Sequence, residues 1–257
     1  MLLPALMSGL TTLLGVVIAI RLEKNARAIA LGIGFSAGIM LLISGVELLP
    51  ASLRDAGAAR TWGGAALGAG LIAALHVVIP HVHLFEERGL LDASMLRAST
   101  LVALGLILHD VPEGIAMANA YIDSPSLGVR VAFAIALHNV PEEFAMAVPA
   151  VASRSRTMLF AMAVVSALAE PVGALVGLVL VQLEPALNAF FIALAAGAMI
   201  FVSVHELLPM AARVGNLPLF GAGLALSVPV YLSQRRLTDR GVVAAKAAAC
   251  AAACSSR

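Results

Sequence analysis

The sequence predicts an all-α membrane protein with eight transmembrane helices in a 3+2+3 inverted-repeat arrangement. Three observations predict it: the bulk composition, the recurrence of apolar runs of one length, and a segment that returns in the opposite sense. Of the 257 residues, 61% are hydrophobic and only 12% are charged, with a mean hydropathy of +1.00. A soluble domain is nearer half apolar and about a quarter charged, so the excess matches a bilayer as solvent. The formal net charge of +1 offers no field for a nucleic acid or an acidic partner. Both cysteines, Cys250 and Cys254, fall in the last eight residues and make neither a disulfide framework nor a thiolate zinc module.

Crossing roughly 30 Å of hydrocarbon takes about 20 apolar residues. Runs of that order lie near 2–20, 29–50, 62–80, 99–121, 128–151, 157–182, 187–211 and 217–233. The first has no small-residue cleavage site followed by a soluble domain and reads as a retained span. The connections are short and charged, such as "RLEKNARA", "ASLRDAGAAR" and "ASRSRT"; only 81–98 is a loop of any length. Residues 1–233 form the eight-span unit, and 234–257 read as an alanine-rich, low-complexity tail. Lys and Arg of the short loops set orientation. Loops after spans 1, 3, 5 and 7 hold eight of them and loops after spans 2, 4 and 6 hold three, which places both termini outside. The basic tail, with Arg235, Arg236 and Arg240, runs against that count. The expected location is the plasma (cell inner) membrane.

The returning segment is "GIMLLISGVELLP" at 38–50 against "GAMIFVSVHELLP" at 197–209, matching at Gly, Met, Ser, Glu, Leu, Leu and Pro. Spans 2 and 7 cross in opposite directions, as do spans 4 and 5, which carry "HDVPEG" (109–114) and "HNVPEE" (138–143). Inverted pairs of this kind are a transporter signature, with the substrate site at the repeat interface near the midplane.

Seven of the fifteen acids lie within the spans: Glu47, Asp110, Glu113, Glu142, Glu143, Glu170 and Glu206. His76, His109, His138 and His205 join them, yet no Lys or Arg does except Arg130 at an edge. Ionisable groups at this depth cost a few kcal/mol each on insertion scales and are functional candidates. Without basic partners, several carboxylates are protonated or a cation visits them. His109 and Glu113 are i and i+4, as are His138 and Glu142, so each pair shares a helix face. Pro112 and Pro141 remove backbone hydrogen bonds to Leu108 and Leu137, and Glu170 precedes Pro171. Imidazole with carboxylate suits borderline divalent metals such as Zn²⁺, Fe²⁺ or Mn²⁺, and the lack of thiolates suits an ion that must leave again.

These two motifs, the "LAEPVGALVG" of span 6 and the eight-span layout resemble the ZIP (Zrt/Irt-like) divalent-metal transporters over nearly the whole chain up to about residue 233. The resemblance implies transport of Zn²⁺, or of Fe²⁺, Mn²⁺ or Cd²⁺, toward the cytosol through a binuclear site, by elevator-like sliding of spans 1, 4, 5 and 6 against the rest. It implies a primary site of His109, Glu113, His138 and Glu142 with Met40 added, and a second of Asp110, Asn139 and Glu170 bridged by Glu142. Glu47, His205 and Glu206 match pathway positions, and His81 and His83 stand where the family has a longer His-rich loop. Two residues depart from the family pattern: Asp110 replaces the usual Asn, and Glu143 the usual Gly.

Plainer readings stand beside these. Met40 reads equally as packing, Glu47 and Glu206 as solvated surface acids, and His81 and His83 first as solvated loop residues. The rival function is a membrane-embedded zinc-dependent hydrolase, but "HELLP" at 205–209 has Pro209 where a second His would complete H-E-x-x-H. A carrier, not an enzyme, is expected, with the metal as cargo and no resident cofactor; the bilayer and, as a homodimer, a second copy are the partners considered. Protonation of the ligands predicts uptake that weakens as external pH falls below about 6, near the ordinary histidine value.

Overall fold

The computed structural model describes residues 2–22, 25–78, 110–152 and 156–255, all but a few of them helical. The order is α1 (Leu2–Leu22), α2 (Ala26–Leu42), a π-helical turn (Ile43–Leu48), α3 (Leu49–Val78), α4 (110–123), α5 (Pro125–Ala152), α6 (Arg156–Leu183), α7 (Asn188–Val202), a second π turn (Ser203–Leu207), α8 (Leu208–Val214) and α9 (Leu217–Ser255). Helix starts carry polar caps: Asn25 Oδ1 accepts from Ala28 N, Ser124 Oγ from Leu127 N and Asn216 Oδ1 from Leu219 N. Within α3, Gly57 at φ 74° breaks the helix, a backbone conformation that glycine adopts without steric cost. Ser52 Oγ and Thr61 Oγ1, 2.8 Å apart, tie the two sides of that corner.

Among the described residues, four helical stretches are long and apolar enough to cross a membrane: Ala26–Ala74, Ala163–Leu183, Pro185–His205 and Leu217–Asp239. The first has 49 residues and contains the Gly57 corner. A straight helix that long would reach about 74 Å, more than twice the hydrocarbon thickness. The helix α9 runs through the boundary expected at 233, and Gln234, Arg235 and Asp239 beyond it enter contacts described below.

The sequence repeat has a structural counterpart, because each copy contains a π turn just before its Leu-Pro. Pro50 and Pro209 have no N–H to offer an α-helical acceptor. The preceding residue, Leu49 or Leu208, instead donates five residues back, to the carbonyl of Ser44 or Ser203. The missing donor and the ring's bulk make the wider turn the relaxed solution.

Close packing sorts the helices into two groups. A Cβ on Gly9 would fall within 3.0 Å of the Ala167 carbonyl oxygen, joining α1 to α6; one on Gly114 or Gly173 would do the same between α4 and α6. Gly34 and Gly223 make the reciprocal approach between α2 and α9, and Gly68 and Gly197 between α3 and α7. Small residues that let backbones meet are the usual means of helix association in lipid. Every such approach among the described residues lies within α1, α4, α5 and α6, or within α2, α3, α7 and α9. Between the two groups α2 packs on α5, and α9 meets α5 as well.

Candidate metal centre

The centre is built where α4, α5 and α6 meet, with α1 closing one side. Glu113 of α4 and His138 of α5 are fully buried and face each other, His138 Nε2 lying 2.9 Å from Glu113 Oε1. The other ring nitrogen, Nδ1, lies 3.0 Å from the Ala134 carbonyl oxygen. A carbonyl only accepts, so Nδ1 carries the hydrogen and directs the Nε2 lone pair at the carboxylate. Two acceptors at that distance require a proton or a metal ion between them.

Two polar rungs join α5 to α6 one helical turn apart. On the first, Asn139 Nδ2 donates to Glu170 Oε1 and also to Ser8 Oγ of α1 at 3.2 Å. Glu170 is fully buried, and its Oε2 meets no hydrogen-bond partner among the described residues. On the second, Ser166 Oγ stands 2.8 Å from Glu143 Oε1 and 2.5 Å from Asp110 Oδ2 of α4. One hydroxyl has one hydrogen, so the second contact needs a proton on one of the acids or a cation beside both. The two residues that depart from the resembled family's pattern therefore meet at a single serine. Carboxylate oxygens suit hard divalent cations, whereas an imidazole such as that of His138 offers a borderline nitrogen.

The structure thus brings together Glu113 with His138, Asn139 with Glu170, and Asp110 with Glu143. Asp110 sits on the rung beside Asn139 and Glu170. Met40 is fully buried on α2, and its sulfur accepts from Ser203 Oγ at 3.6 Å. His109, His81 and His83 lie outside the described residues, as do the side chains of Glu142, Glu206 and His76. His205 is exposed and stacks on Phe201, with ring centroids 4.7 Å apart. Sequence reasoning missed Ser8 and Ser166. Ser166 had a usable signal, since it precedes Glu170 by four residues and shares its face; Ser8 had none.

Glu47 belongs to a different constellation, at the end where α2 finishes and α5 begins. The sequence left the intramembrane acids without bases, but here Arg130 Nε lies 3.3 Å from Glu47 Oε2 and Arg235 Nε 3.4 Å from Glu47 Oε1. Tyr231 Oη also donates to Oε1, at 2.7 Å. Arg130 continues to Asp239 at 2.8 Å, and its carbonyl accepts from Gln234 Nε2 at 2.7 Å. Glu47 is therefore already compensated.

Beyond this end, Asp123 of α4 hydrogen-bonds Asp55 of α3. Burial, then the hydrogen bond and charge of Asp55, push its carboxyl from 3.8 up to about 6, with Arg54 pulling the other way. A raised carboxyl value means the fold favours the neutral acid. Its contribution is full below about 3.8 and lost as pH rises through about 6. Asp123→Asn, which holds the group neutral, is expected to match wild type in thermal stability near pH 4 and to exceed it near pH 7, in detergent. An equal difference at both values would break the assignment.

A family model described as ZIP Zinc transporter matches residues 85–217. The zinc transporter ZupT of Enterobacter sp. (strain 638) is 36% identical over 235 residues, covering 87% of this chain and 91% of that one. The zinc transporter ZupT of Salmonella newport (strain SL254) is 37% identical over 236 residues, with 87% and 91% covered. The protein of the same name from Corynebacterium aurimucosum is 35% identical over 229 residues, with 82% and 86% covered.

Proposed function

The chain belongs to the ZIP zinc transporter family, and from that premise we propose that it carries zinc, or a related divalent ion such as Fe²⁺, Mn²⁺ or Cd²⁺, toward the cytosol. The observation that carries the reading is the buried His138–Glu113 pair, whose lone pairs converge from two helices onto one point. Arg130 is engaged by Glu47 and Asp239, and Arg235 by Glu47, so positive charge at that point comes from protons or from cargo. Glu113 and His138, completed by His109, Glu142 and Met40, form the primary site. Asn139 and Glu170 with Asp110 form the second, bridged by Glu142, and Ser166 and Glu143 extend it by one rung.

Eight spans in a 3+2+3 arrangement, with both termini outside, make the frame. The division of close packing into two groups supports a cycle in which α1, α4, α5 and α6 slide as one body against the others. The reading is tested by radioactive zinc uptake into proteoliposomes, wild type beside His109→Ala and Glu142→Ala. Saturable uptake is expected in the wild type and loss in both variants. Wild-type protein that binds zinc but moves none would end the carrier reading.

A further inference from the structure

The contacts between the two helix groups are polar at one end. Arg130, on α5 of the first group, reaches Glu47 and Asp239 of the second through its guanidinium and Gln234 through its carbonyl. At the same end Asn188 of α7 donates to the Asn119 carbonyl of α4 at 3.3 Å, and Asp123 meets Asp55. These hydrogen bonds between described residues of the two groups gather at one end. Among the described residues, the backbone-to-backbone glycine approaches, by contrast, lie inside each group. Packing of that kind resists sliding. A few hydrogen bonds and ion pairs can be broken and remade.

We propose that Arg130 is the keystone of a latch that holds the two groups together at the α5 N-terminal end and must release for cargo to enter there. The inference deepens the sliding cycle proposed above and rests on it. Within the latch the Arg130–Glu47 pair dominates, because Glu47 is buried and its interaction is little screened by water or salt. The Asp239 contact is half-exposed and weaker. Arg235 and Tyr231 come from the same group as Glu47, so they hold the carboxylate in place while Arg130 leaves. Arg130 is thus a positioning residue that never touches the metal.

The test places cysteines at Asn119 and Asn188, one on each group and away from Arg130, in a chain with Cys250→Ala and Cys254→Ala. A short thiol-reactive cross-linker should join them and stop zinc uptake, with reductive cleavage of a disulfide-containing linker restoring it. Arg130→Gln should slow cross-linking about fivefold or more, within the usual range of coupling between sites. Glu47→Gln should do likewise, and the double variant should lose less than the sum of the two. Cross-linked protein that transports normally would show that the groups do not separate at this end. Cross-linking that never occurs, is unchanged by Arg130→Gln, or falls additively in the double variant would remove the latch. A wild type that moves no zinc would instead end the carrier reading itself.

Discussion

Replacing His138 with alanine is expected to abolish zinc uptake and to lower stability in the absence of metal. Its ring fills a fully buried position and meets a fully buried carboxyl. Deleting one member of such a buried pair costs about 3–5 kcal/mol. Metal affinity should fall by more than the roughly 10- to 100-fold seen when only an outer-shell partner of a ligand is lost. Glu113→Gln separates the two effects. The amide N–H can donate to the Nε2 lone pair, so the fold should keep its stability while the negative ligand, and with it uptake, is gone. Thermal unfolding without metal, zinc titration and proteoliposome uptake check the three statements. Uptake within twofold of wild type in His138→Ala would take that residue out of the pathway.

A large loss of stability is also expected from filling the glycine contacts. Gly68 and Gly70 lie on one helix two residues apart, and they test the point cleanly. A Cβ on Gly68 would strike the Leu194 carbonyl of α7, whereas one on Gly70 meets nothing within 4 Å. Backbone atoms cannot rotate aside, so Gly68→Val should cost at least the about 1–3 kcal/mol of an overpacked core and separate α3 from α7. Gly70→Ala should gain about 0.5–1 kcal/mol from the helix's lost conformational freedom. Unfolding midpoints of the two purified variants in the same detergent give the comparison. Equal effects would show that the close approach is not what holds these helices.

Much of the fold was legible because a bilayer demands uniform runs of one length. The repeat at 38–50 and 197–209 was legible as letters, but not the π turns, which depend on where each proline withholds its N–H. At the candidate centre, i to i+4 spacing put His138 and Glu142 on one face of α5, and the same spacing relates Asn139 to Glu143 and, on α6, Ser166 to Glu170. Spacing alone could not pair the two faces, because the register between antiparallel helices is set by packing. It is that register which brings Asp110 to Glu143. Glu47 shows the same limit more sharply, since Arg130 is 83 positions away in sequence and Arg235 lies in what reads as a featureless tail.

The π turn after α2 acts as a phase shifter. In an unbroken α-helix, residues seven apart return to nearly the same bearing, drifting only about 20°. Met40 and Glu47 are seven apart, and a plain helix would aim both at one neighbour. An added residue in the intervening turn swings the later bearing by about 100°. Met40 can therefore address Ser203 of the opposite repeat while Glu47 addresses Arg130 and Arg235. One rod serves two directions, and a one-residue deletion between them would send the carboxylate back toward the sulfur's side.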